Sequence, residues 1–303
     1  MSERLDHDRL FKELLSTFFV EFIDLFFPEV TAYWEPDSVT LLNTEVFTDV
    51  TAGDRYTTDL LIQVKFQGQS AYFLIHVEHQ STPDPQFGKR MFRYFSRLYE
   101  KFDLPVYPIV ILSYDQPKKQ ATGEHCLEFP DFQVLQFNYR VIQLNRLNWR
   151  DYLSQPNPIA SALMAKMDIS PEDRPKVKAQ CLRLLVTLRL DPARTQLISG
   201  FIDSYLRLNE TEQTLFDQEL GTLEPQEQEG VMEIVTSWME QGIEQGIEQG
   251  IEQGIEQGIE QAQREAIARM VERRFSVADI ADIVNLPREK VEAIIKNLGQ
   301  GKP

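Results

Sequence analysis

Residues 106–113, VYPIVILS, constrain the fold of this chain more than any other stretch. The segment is short, β-branched and apolar on both faces, so it reads as a strand buried from both sides. Such a strand belongs inside a sheet covered by helices, and a helical pattern over residues 84–102 runs directly into it. Three more strand candidates precede that helix, at residues 39–47, 59–66 and 71–78. A strand, a crossover helix and a further strand imply a right-handed βαβ connection. The expected class is α/β: a mixed sheet flanked by helices, followed by an all-helical C-terminal region.

The rest of the chain fits around that unit. Residues 8–27 place Leu10, Phe11, Leu14, Leu15, Phe18, Phe22 and Ile23 at helical spacing, a broad apolar stripe closed by Pro28. Two weaker strands, at residues 124–129 and 133–144, are expected to extend the sheet. Residues 151–238 read as a helical extension. Residues 239–262 hold four identical copies of IEQG flanked by MEQG and IEQA. A four-residue period winds its Ile row around a helix, and each interior Gly costs about 1 kcal/mol relative to Ala. This segment is expected to be a helical spacer, with a self-associating helix as the alternative. Residues 263–303 form a small tail of short helices joined through NLP, similar to a helix-turn-helix, with Ser276 capping one of them. The first unit is expected to span residues 1–150.

Charge is distributed unevenly. The net −16 is carried almost wholly by residues 210–265, which hold 15 Asp/Glu against one Arg, while residues 1–150 hold 21 acids and 15 bases. Acidity of one segment does not exclude a DNA partner elsewhere on the chain. Cys126 and Cys181 are isolated and lack C-x-x-C spacing, so neither a zinc site nor a disulfide framework is supported. No run approaches the roughly 18 apolar residues needed to span a bilayer. The opening MSERLDHDRL has no apolar signal region, and a cytoplasmic location without membrane contact is expected.

The chemistry concentrates between the second and third strands. A turn centred on Gly68-Gln69 suits a two-residue type II′ hairpin and sets Asp59 directly opposite Glu78. Side chains alternate along a strand, so Gln80 shares the face of Glu78. Like charges opposed across a sheet are destabilising. A divalent cation would compensate, because Mg²⁺ takes one or two protein carboxylates and completes its shell with waters and phosphate. The structural alternative is a solvated carboxylate, or one paired with Arg55. The next helix carries Lys89, Arg93, Arg97 and Lys101 at successive i+4 positions with Arg90 beside them, a face suited to a phosphodiester backbone or simply to solvent.

Three motifs, His7-Asp8-Arg9-Leu10-Phe11-Lys12-Glu13-Leu14-Leu15, Asp59-Leu60-Leu61 and Glu78-His79-Gln80-Ser81, resemble the recombination-promoting nuclease (Rpn) and putative transposase family within the PD-(D/E)XK nuclease superfamily. The resemblance covers roughly residues 1–150, and the repeat and tail resemble C-terminal regions often attached to such proteins. It implies a Mg²⁺-dependent DNA endonuclease, with Mn²⁺ a substitute, in which Asp59 and Glu78 bind the metal and the His79 backbone carbonyl adds a ligand. Gln80 stands where the superfamily has Lys, and a neutral amide can only orient water. Glu45 on the first strand is a further acidic candidate for the metal, and equally a surface residue. Lys89, Arg90, Arg93 and Arg97 are expected to hold DNA. His7 and Asp8 open the first helix, where a capping role competes with a site role. A homo-oligomer formed through the C-terminal helices is expected, and the rival reading is an inactive nuclease-like binding or oligomerisation protein.

Overall fold

In the computed structural model, which describes residues 6–42, 47–48, 55–56 and 59–299, the first apolar stripe forms two helices, α1 (His7–Thr17) and α2 (Phe19–Phe26). The single helix expected there breaks at Phe18. The Ser16 hydroxyl donates to the Glu13 carbonyl at 3.1 Å, a local bond that competes with the next helical turn. Phe18 itself is fully buried, so packing holds the bend. A short α3 (Pro28–Thr31) leads into β1 (Trp34–Leu41), and a small pair, β2 (Phe47–Thr48) with β3 (Arg55–Tyr56), precedes β4 (Leu60–Phe66). The hairpin then returns as β5 (Tyr72–Gln80), α4 (Phe87–Phe102) crosses over, and β6 (Val106–Leu112) comes next.

The main sheet has the order β1-β4-β5-β6-β9, with β9 spanning Arg140–Gln143. Its first two junctions are antiparallel and its last two parallel, so the sheet is mixed and β6 is interior, as its doubly apolar sequence requires. Ile109, Val110 and Ile111 are all fully buried. One face is covered by α4, whose Met91 packs with Val110 and Leu112 and whose Leu98 packs with Leu61 and Leu74. The other is covered by α1, whose Phe11 stacks on His79 of β5.

Only part of the expected extension joins this sheet. The segment at 133–144 divides at Tyr139, and β7 (Glu124–Phe129) with β8 (Phe132–Asn138) forms a separate hairpin. Leu127, Phe129, Phe132 and Val134 of this hairpin are exposed, and Phe137 is its buried residue. Phe137 packs on Phe92 and Phe95 of α4, with centroids 5.6 and 5.0 Å apart, which draws the hairpin over α4 and leaves the edge beside β6 to β9.

Four helices follow in the same unit: α5 (Pro158–Leu163), α6 (Arg174–Leu188), α7 (Pro192–Tyr205) and α8 (Glu210–Leu220). α7 contacts α1 and α5 contacts α2 and α6, so they build a helical layer behind the α1 face of the sheet. Contacts divide the chain into Met1–Met232 and Glu233–Pro303. α9 (Pro225–Glu272) runs from the first unit into the second, and its backbone is helical through the IEQG repeat. The second unit also holds α10 (Val277–Val284) and α11 (Arg288–Gly299) around Ile267, Ile280 and Val291. Ser276 Oγ accepts from Asp279 N at 3.2 Å, and Asn285 takes the left-handed conformation that ends α10.

Candidate active site

The β4–β5 register places the two carboxylates. Leu60 faces Val77, and facing residue numbers add up to 137 down to Lys65 and Tyr72. One residue before Leu60, Asp59 therefore reaches the level of Glu78. The expected two-residue turn is not what sets this register. The loop is Gln67–Gly68–Gln69–Ser70, closed by Phe66 N–H to the Ala71 carbonyl at 2.9 Å, and the tight turn bonds Gln69 N–H to the Phe66 carbonyl at 3.2 Å. Gly68 has φ of 70°, a left-handed value glycine adopts without steric cost. Two-residue and four-residue loops with one centre share one register, so the alignment of Asp59 with Glu78 holds.

The carboxylates are laced to each other's strand. His79 N–H donates to Asp59 Oδ2 at 2.7 Å, and Asp59 N–H donates to Glu78 Oε1 at 3.2 Å. Glu78 Oε1 also accepts from His76 Nε2 at 2.7 Å, which puts the His76 proton on that nitrogen because a carboxylate can only accept. His76 is fully buried and its Nδ1 has no partner among the described residues. Burial, reinforced by the Glu78 carboxylate, pushes Asp59 up from 3.8 to about 7; the His79 N–H opposes the rise, Asp8 adds to it and Lys12 opposes it.

His79 is gripped on three sides. Its Nδ1 lies 3.0 Å from Asp8 Oδ1, its Nε2 lies 2.7 Å from Ser113 Oγ, and its ring stacks on Phe11 at 3.8 Å. Burial holds the imidazole down at about 4 against the lift from Asp8. A neutral ring there donates from Nδ1 to Asp8 and accepts the Ser113 hydroxyl proton at Nε2. The order Asp–His–Ser matches an acyl-transfer triad, yet Ser113 is only 4% exposed while the Asp8 side chain is 69% exposed. That is the reverse of what an attacking serine and a buried orienting acid need. The chain of bonds anchors the His79 peptide, and with it the N–H that holds Asp59.

The first-helix residues thus separate in role. Asp6, rather than Asp8, caps α1 by accepting from Arg9 N at 3.1 Å. His7 Nδ1 meets the Tyr205 hydroxyl at 2.8 Å and ties α1 to α7. Asp8 reaches His79. Ser113 was the one polar residue ending a doubly apolar strand, a signal that could have marked it. Nothing local in the sequence pairs it with Asp8.

Gln80 lies beyond Glu78 at the end of β5. Its amide donates to the Thr82 carbonyl at 2.5 Å, and its oxygen accepts from Arg90 Nη2. Arg90 also binds Asp84 Oδ2 at 2.9 Å and lies over the Phe87 ring. Lys89 and Arg93 are exposed, and Arg97 is half-buried. Of the four residues expected to hold DNA, Lys89 and Arg93 are therefore the ones open to a partner; Lys101, at the far end of the basic face, is exposed as well.

Two carboxylates fit a hard divalent ion. The hydrogen bonds use Asp59 Oδ2 and Glu78 Oε1; the other oxygen of each group accepts none among the described residues. Among those residues no group of three or more His, Cys, Asp or Glu is arranged to hold a metal. A pair matches the one or two carboxylates Mg²⁺ usually takes. Glu45 and the side chain of Arg55 lie outside the described residues. No helix among the described residues is long and apolar enough to cross a membrane.

A family model described as "Putative transposase, YhgA-like" matches residues 5–191. No curated protein and no solved structure gives a significant match.

Proposed function

The chain belongs to the YhgA-like putative transposase family, and from that premise we propose that it is a divalent-metal-dependent endonuclease of the PD-(D/E)XK type that hydrolyses DNA phosphodiesters. The observation that carries this reading is the Asp59–Glu78 pair: two carboxylates brought together at a sheet end, with Asp59 desolvated enough to sit near 7. A fold keeps such a costly arrangement where a cation completes it.

In this reading Asp59 and Glu78 hold Mg²⁺, or Mn²⁺ in its place, and the His79 carbonyl, next to Glu78 along the strand, is a third donor. When bound, such an ion lowers the pKa of a water and offsets charge on the phosphate. His76 holds the Glu78 carboxylate in one orientation, and the Asp8–His79–Ser113 bonds hold the peptide that fixes Asp59. Gln80 joins Arg90 to the end of the strand that carries Glu78, so cationic charge stands near a position where the superfamily has Lys. Lys89 and Arg93 bind the strand backbone, a role for which their exposure suits them.

The test is nicking and linearisation of supercoiled plasmid by wild type and Asp59→Ala in Mg²⁺, Mn²⁺ or EDTA at fixed salt. Metal-dependent cleavage that disappears in the variant is expected. A folded wild type that cleaves under no metal would replace this reading with that of an inactive nuclease-like binding protein.

A further inference from the structure

A cavity of about 530 Å³ opens beside Gln80 at the C-terminal ends of β5 and β6, with Val141 of β9 also lining it. In sheets with parallel strands this is where ligands bind, and the volume is within the range of small-molecule sites. Val110, Leu112 and Val141 form its apolar floor, and Tyr114 and Tyr139 stand in its wall. The Tyr139 hydroxyl is spent on the Thr122 carbonyl at 3.1 Å, which leaves the ring as the surface it offers.

The cavity is built rather than left over. Its outer wall, residues 117–122, is tied to the sheet by two buried amides. Gln143 accepts from Ala121 N–H at 2.9 Å and donates to the Lys119 carbonyl at 3.0 Å, while Asn145 donates to the Pro117 carbonyl at 3.1 Å. Its inner wall, the first turn of α4, comes so close to β7 that a Cβ on Gly88 would stand 2.7 Å from the Glu124 carbonyl. Only glycine allows that approach.

The rim carries a defined chemistry. The side-chain amides of Gln86 and Gln120 make no hydrogen bond among the described residues, and each offers donors and an acceptor together. Lys89 and Lys119 add two ammonium groups, and Glu124 adds an acceptor. A flat ring against aromatic walls, amides at its edge and cations for flanking phosphates describe the recognition of an unpaired nucleotide. Position agrees: Gln80 is two residues from Glu78 on one strand, roughly 7 Å at strand rise, about the reach from one nucleotide to the next.

We propose that this cavity receives one unstacked base of the DNA strand adjacent to the phosphate held at Asp59 and Glu78. The proposal rests on the nuclease reading of that pair, and its test avoids cleavage altogether. Full-length protein in EDTA at fixed low salt is titrated by fluorescence anisotropy with a short fluorescein-labelled single-stranded deoxyoligonucleotide, and with the same backbone carrying tetrahydrofuran abasic sites. The intact strand is expected to bind about tenfold more tightly, the size of one stacked base. Gln120→Trp and Thr122→Trp, both at exposed rim positions, are each expected to erase that preference, and Thr122→Trp, whose side chain has no part in the recognition, to leave the abasic affinity unchanged. Equal binding of both probes by wild type, or a preference that survives both substitutions, overturns the base pocket while plasmid cleavage still stands. Binding of neither probe overturns the pocket and the DNA reading together.

Discussion

At Asp59 a buried carboxyl and at His79 a buried imidazole titrate in opposite senses. Asp59 is raised, so the folded state holds its proton more tightly than the unfolded chain; that contribution is full below about 4 and is lost as pH rises to about 7. His79 is lowered, so its contribution is full above 6.5 and is lost as pH falls to about 4. The shifts correspond to roughly 4 and roughly 3 kcal/mol, so in wild type they nearly cancel between pH 4 and 7. Asp59→Asn removes one side of the balance. Urea denaturation in EDTA is expected to show the variant losing about 4 kcal/mol relative to wild type on going from pH 7 to 4; parallel profiles would show that Asp59 is not desolvated. The opposition of Asp59 and Glu78 was legible in the sequence because the loop is centred on Gly68-Gln69, and that centre fixes the register for the observed four-residue loop as for the expected two-residue one. The grip of Asp8 and Ser113 on His79 was not, since those residues lie 71 and 34 positions away.

Among the elements, α4 has two separable jobs. Its buried stripe of Phe87, Met91, Tyr94 and Leu98 holds one face of the sheet, and Lys89 and Arg93 lie off that stripe in solvent. Leu98→Ala removes a fully buried side chain packed on Leu61 and Leu74, and is expected to cost about 2–5 kcal/mol in a urea melt. Lys89→Ala with Arg93→Ala is expected to leave stability within about 0.5 kcal/mol. The same pair should weaken duplex DNA binding and flatten the plot of log affinity against log salt by about two units. An unchanged salt slope would remove α4 from the DNA interface. The helical period announced this division, because apolar and basic residues recur on different faces of one helix. It did not announce the β7–β8 hairpin, whose strands look much like sheet strands until Phe92 and Phe95 compete for Phe137.

Across the whole molecule, the acidic repeat and the first unit are separate in composition, and the contact division falls at Met232. Deleting residues 243–258 removes the four IEQG copies and leaves Met1–Met232 intact. The melt of the first unit followed by circular dichroism, and the Mg²⁺ affinity proposed for the Asp59–Glu78 pair, are both expected to be unchanged. Collapse of the first unit on deletion would show that its stability depends on the repeat. Neighbours along the chain were enough to dictate the α/β class, from a strand apolar on both faces, together with the two-faced α4 and the register that opposes Asp59 to Glu78. Packing in three dimensions was needed to settle the break at Phe18, the exclusion of β7 and β8 from the main sheet, and the links from Asp8 to His79 and from Arg90 to Gln80. Strand and helix periods are local properties of the backbone, whereas those features depend on which distant side chains compete for one packed space.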